Sequence, residues 1–230
     1  MLKICSIIAC LIAMAAGHGM MMDPPNRSSL WRFNNSFPIN YADNELWCGG
    51  RGVQHGVNGG KCGVCGDDYR KEHPQANENG GKYGTGYITA TYQHASVIEV
   101  TSLITANHLG NIQYHICKIN DSSKPEIGEE CFIPIPFEDG SEKFTILNSH
   151  RQVTSRIQLP KEFTCNHCTL RWTYTAGNNW GPCGNGTGAV GCGPQETFRS
   201  CADIAIQVNN VSFRSWPSNG STESQFFVAD

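Results

Sequence analysis

The sequence predicts an all-β fold, an immunoglobulin/fibronectin-like β-sandwich with long disulfide-held loops and short helices. Three observations carry that expectation. Short runs alternate apolar and polar residues, clusters of Gly, Pro, Asn and Ser separate them, and no long stretch repeats its apolar residues at a helical period.

The chain opens with one cation, Lys3, an apolar run from Ile4 to Met14, and the small residues Ala15, Ala16 and Gly17. That is the three-part plan of a secretory signal peptide, and the run is too short to span a bilayer. Residues 1–17 are therefore expected to be cleaved before His18, with a cut after Ala15 as the competing position. Residues 18–230 then form a single domain, secreted and extracellular, because no repeat and no charged or proline-rich linker divides them.

Asn26 to Gly86 is dense in glycine and poor in strand signals. It reads as a long loop region held through Cys48, Cys62 and Cys65 and packed on one end of the sandwich, with "RSSLWRF" as at most a short helix. Strand candidates follow in "GYITATY", "SVIEVTSLIT", "NIQYHIC", "EKFTILN", "TLRWTYT" and "DIAIQV". In the third, fifth and sixth, Ile112, Tyr114 and Ile116, then Leu170, Trp172 and Tyr174, then Ile204, Ile206 and Val208 share one face.

Ten of the twelve cysteines lie beyond residue 17, an even number that in an exported chain reads as five disulfides of open connectivity. The pairs Cys62/Cys65 and Cys165/Cys168 stand too far apart in sequence for a zinc ribbon. Seventeen basic and twenty acidic residues are spread without runs, which argues against nucleic acid and anionic membrane as partners. Sequons at Asn26, Asn34, Asn120, Asn185, Asn210 and Asn219 fit a secretory route and a glycoprotein.

A histidine placed first in a mature chain offers its α-amine and its imidazole Nδ1 from one residue, so His18 can close a chelate ring on a metal. A second imidazole would complete three nitrogens in a plane, a donor set that suits copper. His108 is the leading candidate, because "LITANHLGN" places it where a strand run ends and a turn begins. His115 falls on the face of its strand opposite Ile112, Tyr114 and Ile116 and is expected to face solvent. His55, His73, His94, His150 and His167 sit in polar surroundings and read as surface or hydrogen-bonded histidines.

The stretches "HGMMMDPPNRSSLWR", "CGVCGD", "TANH" and "GCGPQETFRSCADIAI" resemble, in order and over nearly the whole mature chain, the lytic polysaccharide monooxygenases, most closely auxiliary-activity family fifteen of invertebrates. The resemblance implies one copper ion per chain, held in a histidine brace by the amine and imidazole of His18 and the imidazole of His108. It implies that Ala106 crowds one axial side of the metal and that Phe198, unable to ligate, shields the other. Glu196, two residues before Phe198, is a candidate for proton delivery or oxygen positioning, with a solvated carboxylate as the plainer reading.

The implied activity is oxidative cleavage of a crystalline polysaccharide, chitin or cellulose, at C1 or C4. It would use hydrogen peroxide or dioxygen and a small-molecule or protein electron donor. The protein is expected to be a monomer. Noncatalytic chitin or cellulose binding, and copper handling, are the alternatives on the same fold. Trp31, Tyr41, Trp47, Tyr69 and Trp180 could stack on sugar rings, though each reads first as a core or disulfide-flanking aromatic.

Overall fold

A computed structural model describes residues 17–126, 128–208 and the strand backbone at 213–214. The signal-peptide segment before Gly17 and the sequons at Asn210 and Asn219 lie outside the described residues. Two sheets face each other. The smaller is formed by β1 (His18–Asp23), β3 (Val97–Ala106) and β7 (Gln152–Gln158), antiparallel in the order β1-β3-β7. The larger runs from β12 (Phe213–Arg214) through β2 (Ala90–Gln93), β11 (Thr197–Gln207), β8 (Cys165–Thr175) and β4 (Asn111–Lys118) to β5 (Ile133–Ile135), with β6 (Phe144–Thr145) also on β4. Among the described strands only β2 and β11 pair in parallel. A separate hairpin joins β9 (Trp180–Pro182) to β10 (Gly188–Val190). Among the described residues no helix is long and apolar enough to cross a membrane.

The core lies between the sheets, where the alternation places it. Met21, Val100, Ile104, Val153 and Ile157 from the smaller sheet meet Ile112, Tyr114, Ile116, Leu170, Trp172, Tyr174, Phe198, Ala202 and Ile204 from the larger one. The strand β1 crosses this core closely at Gly19, where a Cβ would lie 3.0 Å from both the Trp172 ring and the Leu103 carbonyl. Only glycine lets His18 be carried past Trp172 at that separation.

Two strand expectations are shortened. "GYITATY" becomes a strand only from Ala90, because Gly86 takes a left-handed φ of 71° and Tyr87 turns to pack on Phe37. "EKFTILN" contributes only Phe144–Thr145, because the neighbouring edge of β4 is divided, Asn111 and Ile112 pairing with β6 and Tyr114 to Ile116 with β5.

The loop region from Asn26 to Gly86 reaches one end of the sandwich, where Asn44 O accepts from Gly19 N at 3.1 Å, and also runs along the outer face of β11. Thr197, Arg199, Cys201 and Asp203 point outward there and each meets it. Cys48 Sγ contacts the Thr197 carbonyl at 3.3 Å, Arg199 N donates to Leu46 O at 2.9 Å, Cys201 is bonded to Cys65, and Asp203 pairs with Arg27. "RSSLWR" is a 3-10 helix at Arg27–Arg32, begun by the buried Asn26, whose Oδ1 accepts from Ser28 N at 2.9 Å. That cap uses the side chain of a sequon, so Asn26 is closed to glycosylation once folded, whereas Asn34, Asn120 and Asn185 are exposed. The ten described cysteines pair as Cys48–Cys62, Cys65–Cys201, Cys117–Cys131, Cys165–Cys168 and Cys183–Cys192.

Candidate functional site

His18 opens β1 and pairs with Ala106 at the last position of β3, so the smaller sheet delivers both to the same end of the sandwich. His108 follows in the turn out of β3, and its main chain is tied at both ends to the larger sheet. Its N donates to the Tyr174 hydroxyl at 3.0 Å and its carbonyl accepts from Gly177 N at 2.8 Å. Asn107 fixes the turn itself, donating to the Leu147 and His150 carbonyls at 2.8 Å each and accepting from Leu109 N at 2.8 Å. The chain then reverses through Gly110 at φ 89°, where any Cβ would overlap the Thr175 carbonyl.

Gly17 is where the two histidines converge. A methyl group on it would lie 3.3 Å from His108 Nδ1 and 3.2 Å from the Phe198 ring, and its N donates to Glu196 Oε2 at 3.0 Å. Phe198 is fully buried, edge-on to the His18 ring at 6.2 Å between centroids and stacked on Tyr174 at 5.7 Å. Burial pushes the Tyr174 phenol up to about 12. The structure thus gathers His18, Ala106, His108, Glu196 and Phe198 at one place.

Glu196 is 7 % exposed, so the solvated reading is overturned. Burial raises its carboxyl above the usual range, opposed by the Gly17 hydrogen bond and by His108 and His18. Burial also lowers the His108 imidazole, with His18 acting in the same sense and Glu196 against it. The ring is therefore neutral at neutral pH and offers a lone pair to a metal.

The remaining ring nitrogens are engaged by residues that sequence reading did not single out. Asn178 Nδ2 lies 2.7 Å from His108 Nδ1, and Glu45 Oε1 lies 3.4 Å from His18 Nε2. Nothing in "NELW" or "GNNW" marks either residue, because each reaches the site through a loop rather than a periodic element.

Other histidines stand apart from this pair. His55 meets the Gln195 carbonyl at 2.8 Å, His94 the Lys161 carbonyl at 2.7 Å, His150 accepts from Leu147 N at 3.1 Å, His73 pairs with Glu78 and His167 with Asp203. His115 is not solvent-facing. It is half-buried beside Arg171 and Arg199, and burial first, then those guanidiniums, push it down to about 4.

Copper fits the donor set. Among the described residues no three His, Cys, Asp or Glu side chains converge on one point, so a metal at this pair draws its third ligand from the main chain. Cleavage before His18 would free a nitrogen there, all ten described cysteines are disulfide-bonded, and the Phe198 ring adds only hydrocarbon. Two imidazoles and an amine without thiolate or a carboxylate cluster favour copper over calcium, magnesium or structural zinc.

Exposed apolar groups lie on the chain segments next to the pair. Leu109 adjoins His108, Leu147 is bonded through its carbonyl to Asn107, and Trp180 stands beside Asn179 on the β9–β10 hairpin, opposite Val190. Trp180 is 66 % exposed and Tyr41 78 %, and Tyr69 is also exposed, so these three are not core aromatics; Trp31 and Trp47 are half-buried.

Residues 18–204 match the family model described as lytic polysaccharide mono-oxygenase, cellulose-degrading. A solved lytic polysaccharide monooxygenase of auxiliary-activity family fifteen from Thermobia domestica, in the Cu(I) state, is 43 % identical, with a TM-score of 0.80 over 84 % of this chain and 100 % of that one. A family-ten enzyme from Streptomyces lividans shares the fold at 12 % identity, with a TM-score of 0.52 over 82 % of this chain and 99 % of that one. A comparison with curated protein sequences finds no match.

Proposed function

The chain belongs to the lytic polysaccharide monooxygenases of auxiliary-activity family fifteen, and from that premise we propose that residues 18–230 act outside the cell on crystalline chitin or cellulose. As a member of that family it is a copper monooxygenase that degrades polysaccharide oxidatively. Bound copper supplies one-electron chemistry that lets hydrogen peroxide or dioxygen oxidise a C1 or C4 position, with electrons from an external donor.

The convergence of His18, His108 and the Gly17–Glu196 contact at one end of the sandwich carries the reading. His18 contributes its imidazole and, after removal of residues 1–17, its amine; His108 contributes the second imidazole. With copper held there, Phe198 would exclude water on one side and Ala106 would keep the other narrow. Glu196, its carboxyl raised by burial, presents Oε2 as an acceptor to Gly17 N, one residue before the nitrogen that cleavage would free. Leu109, Leu147 and Trp180 lie on the chain segments next to the pair and suit a flat apolar contact with sugar rings.

The test is to load the chain beginning at His18 with one equivalent of copper, add ascorbate and peroxide with β-chitin or microcrystalline cellulose, and analyse soluble products by mass spectrometry. Oxidised oligosaccharides from either substrate support the assignment, and their mass series reports C1 or C4. Unoxidised products only, or none from both substrates, would overturn it.

A further inference from the structure

Each imidazole at the site has one ring nitrogen facing another side chain, at 2.7 Å for His108 and at the longer ion-pair distance of 3.4 Å for His18. Asn178 occupies Nδ1 of His108 and Glu45 faces Nε2 of His18. The nitrogens facing away from these partners are Nδ1 of His18 and Nε2 of His108, and Nε2 becomes a ligand atom when the Asn178 amide is turned so that its Oδ1 accepts from Nδ1. The two partners differ in kind, since one is a carboxylate and the other a neutral amide.

Glu45 does not reach His18 by drift of a loose loop. Asn44 accepts from Gly19 N at 3.1 Å and donates to Thr105 Oγ1 at 3.0 Å, which ties the residue before Glu45 to both β1 and β3. Leu46, the residue after it, accepts from Arg199 N of β11 at 2.9 Å. Glu45 itself is folded into a tight turn, its N donating to Ala42 O at 3.0 Å and its carbonyl accepting from Trp47 N at 2.9 Å. The Trp47 ring then flanks the His18 ring at 6.2 Å. The carboxylate is thus held in place by three strands that converge on the site.

We propose that Glu45 is a positioning residue of the copper site: it accepts the Nε2 proton of His18, leaves Nδ1 as the ligand atom, and favours Cu(II) over Cu(I). An imidazole whose far N–H is held by a carboxylate is a better donor through its other nitrogen, and the added negative charge stabilises the more positive metal state. Asn178 brings no net charge, so it orients His108 without the same preference. The Glu45 side chain is 42 % exposed, so the charge effect is open to screening by salt.

The inference rests on the copper site proposed above, and the measurement separates the two. Cu(II) and Cu(I) dissociation constants are determined for the chain beginning at His18, for Glu45→Gln, for Asn178→Ala, and for Glu162→Gln as a remote loss of charge. Glu45→Gln is expected to lower the Cu(II)-to-Cu(I) preference about tenfold, an effect typical of outer partners of metal ligands. For one electron that is a rise of about 59 mV in midpoint potential. The difference should shrink in about 1 M salt, where the screening length falls to about 3 Å. Asn178→Ala should weaken both oxidation states together, and Glu162→Gln should change neither. An unchanged preference in Glu45→Gln, or an equal shift in Glu162→Gln, overturns the role of Glu45. Absence of a three-nitrogen Cu(II) EPR signal from the unsubstituted chain overturns the copper site and this role with it.

Discussion

Arg27 and Asp203 form a two-pronged ion pair, Nε to Oδ2 at 2.9 Å and Nη2 to Oδ1 at 2.6 Å, with both side chains shut away from water. Arg27 comes from the loop region and Asp203 from the outer face of β11, so this contact pins one to the other. Glu126 sets a second buried carboxylate on the same guanidinium, accepting from Nη1 at 2.7 Å, and Thr169 accepts from Nη2 at 3.1 Å, while His167 Nε2 lies 2.7 Å from Asp203 Oδ1. Removing one member strands a buried charge, which costs about 3–5 kcal/mol. Arg27→Met, which strands the Asp203 and Glu126 carboxylates, is expected to lose that much stability in urea unfolding, and adding Asp203→Leu with Glu126→Gln should recover a large part of the loss.

The same group predicts acid sensitivity. Burial would raise the Asp203 and Glu126 carboxyls, but Arg27 and their hydrogen bonds outweigh it and hold both below the ordinary carboxylate range. A depressed folded-state value adds stability above the unfolded-state pKa, near about 4, which is lost as pH falls through the folded value. The melting temperature should therefore hold its level above about pH 5 and fall steeply below about pH 4. In the Arg27→Met, Asp203→Leu double variant that acid slope should be shallower; an unchanged slope would mean that other carboxylates carry it.

Much of this architecture was legible because it is local. Alternation in "NIQYHIC" and "TLRWTYT" marks residues that do face the core, and "TANH" marks a turn that does end β3. What escaped depends on partners remote in sequence. The outward residues Thr169, Arg171 and Thr173 look like a solvated face, yet all three are buried beneath later and earlier loops. The polar groups of Thr169 and Arg171 serve Arg27, Glu126 and Glu129 rather than water. His115 was misplaced for the same reason, being opposite Arg171 in the sheet register. The strand β7 hides an inward Ser155 between Val153 and Ile157, which blurs its alternation. At the site, His18, His108 and Phe198 belong to readable motifs, while Glu45 and Asn178 are single polar residues in loops.

Trp180 offers a test of the surface that is separable from the metal. Its ring is mostly exposed and lies over Gly188 on a hairpin held by Cys183–Cys192, so truncation removes little packing. Loss of one aromatic contact is worth about 0.5–1.5 kcal/mol, up to about tenfold in binding. Trp180→Ala is expected to weaken partition onto insoluble chitin or cellulose by that amount while leaving copper affinity and melting temperature unchanged. Equal partition in a pull-down isotherm would remove Trp180 from the binding surface.

The site also depends on where the chain begins. Gly17 N already donates to Glu196 and the residue packs against His108 and Phe198, so any residue kept before His18 occupies space at the metal site. Such a residue also converts the α-amine into an amide, whose nitrogen has no available lone pair at neutral pH. A chain retaining Gly17 should therefore fold with the same melting temperature but bind Cu(II) through fewer nitrogens, at least about tenfold more weakly. His108→Ala should do the same from the other side, removing an imidazole that is not part of the hydrophobic core. Titration calorimetry and the nitrogen pattern of the Cu(II) EPR spectrum read both variants. Unchanged binding with Gly17 retained would mean that the His18 amine is not a ligand, and the brace would have to be rebuilt from side chains alone.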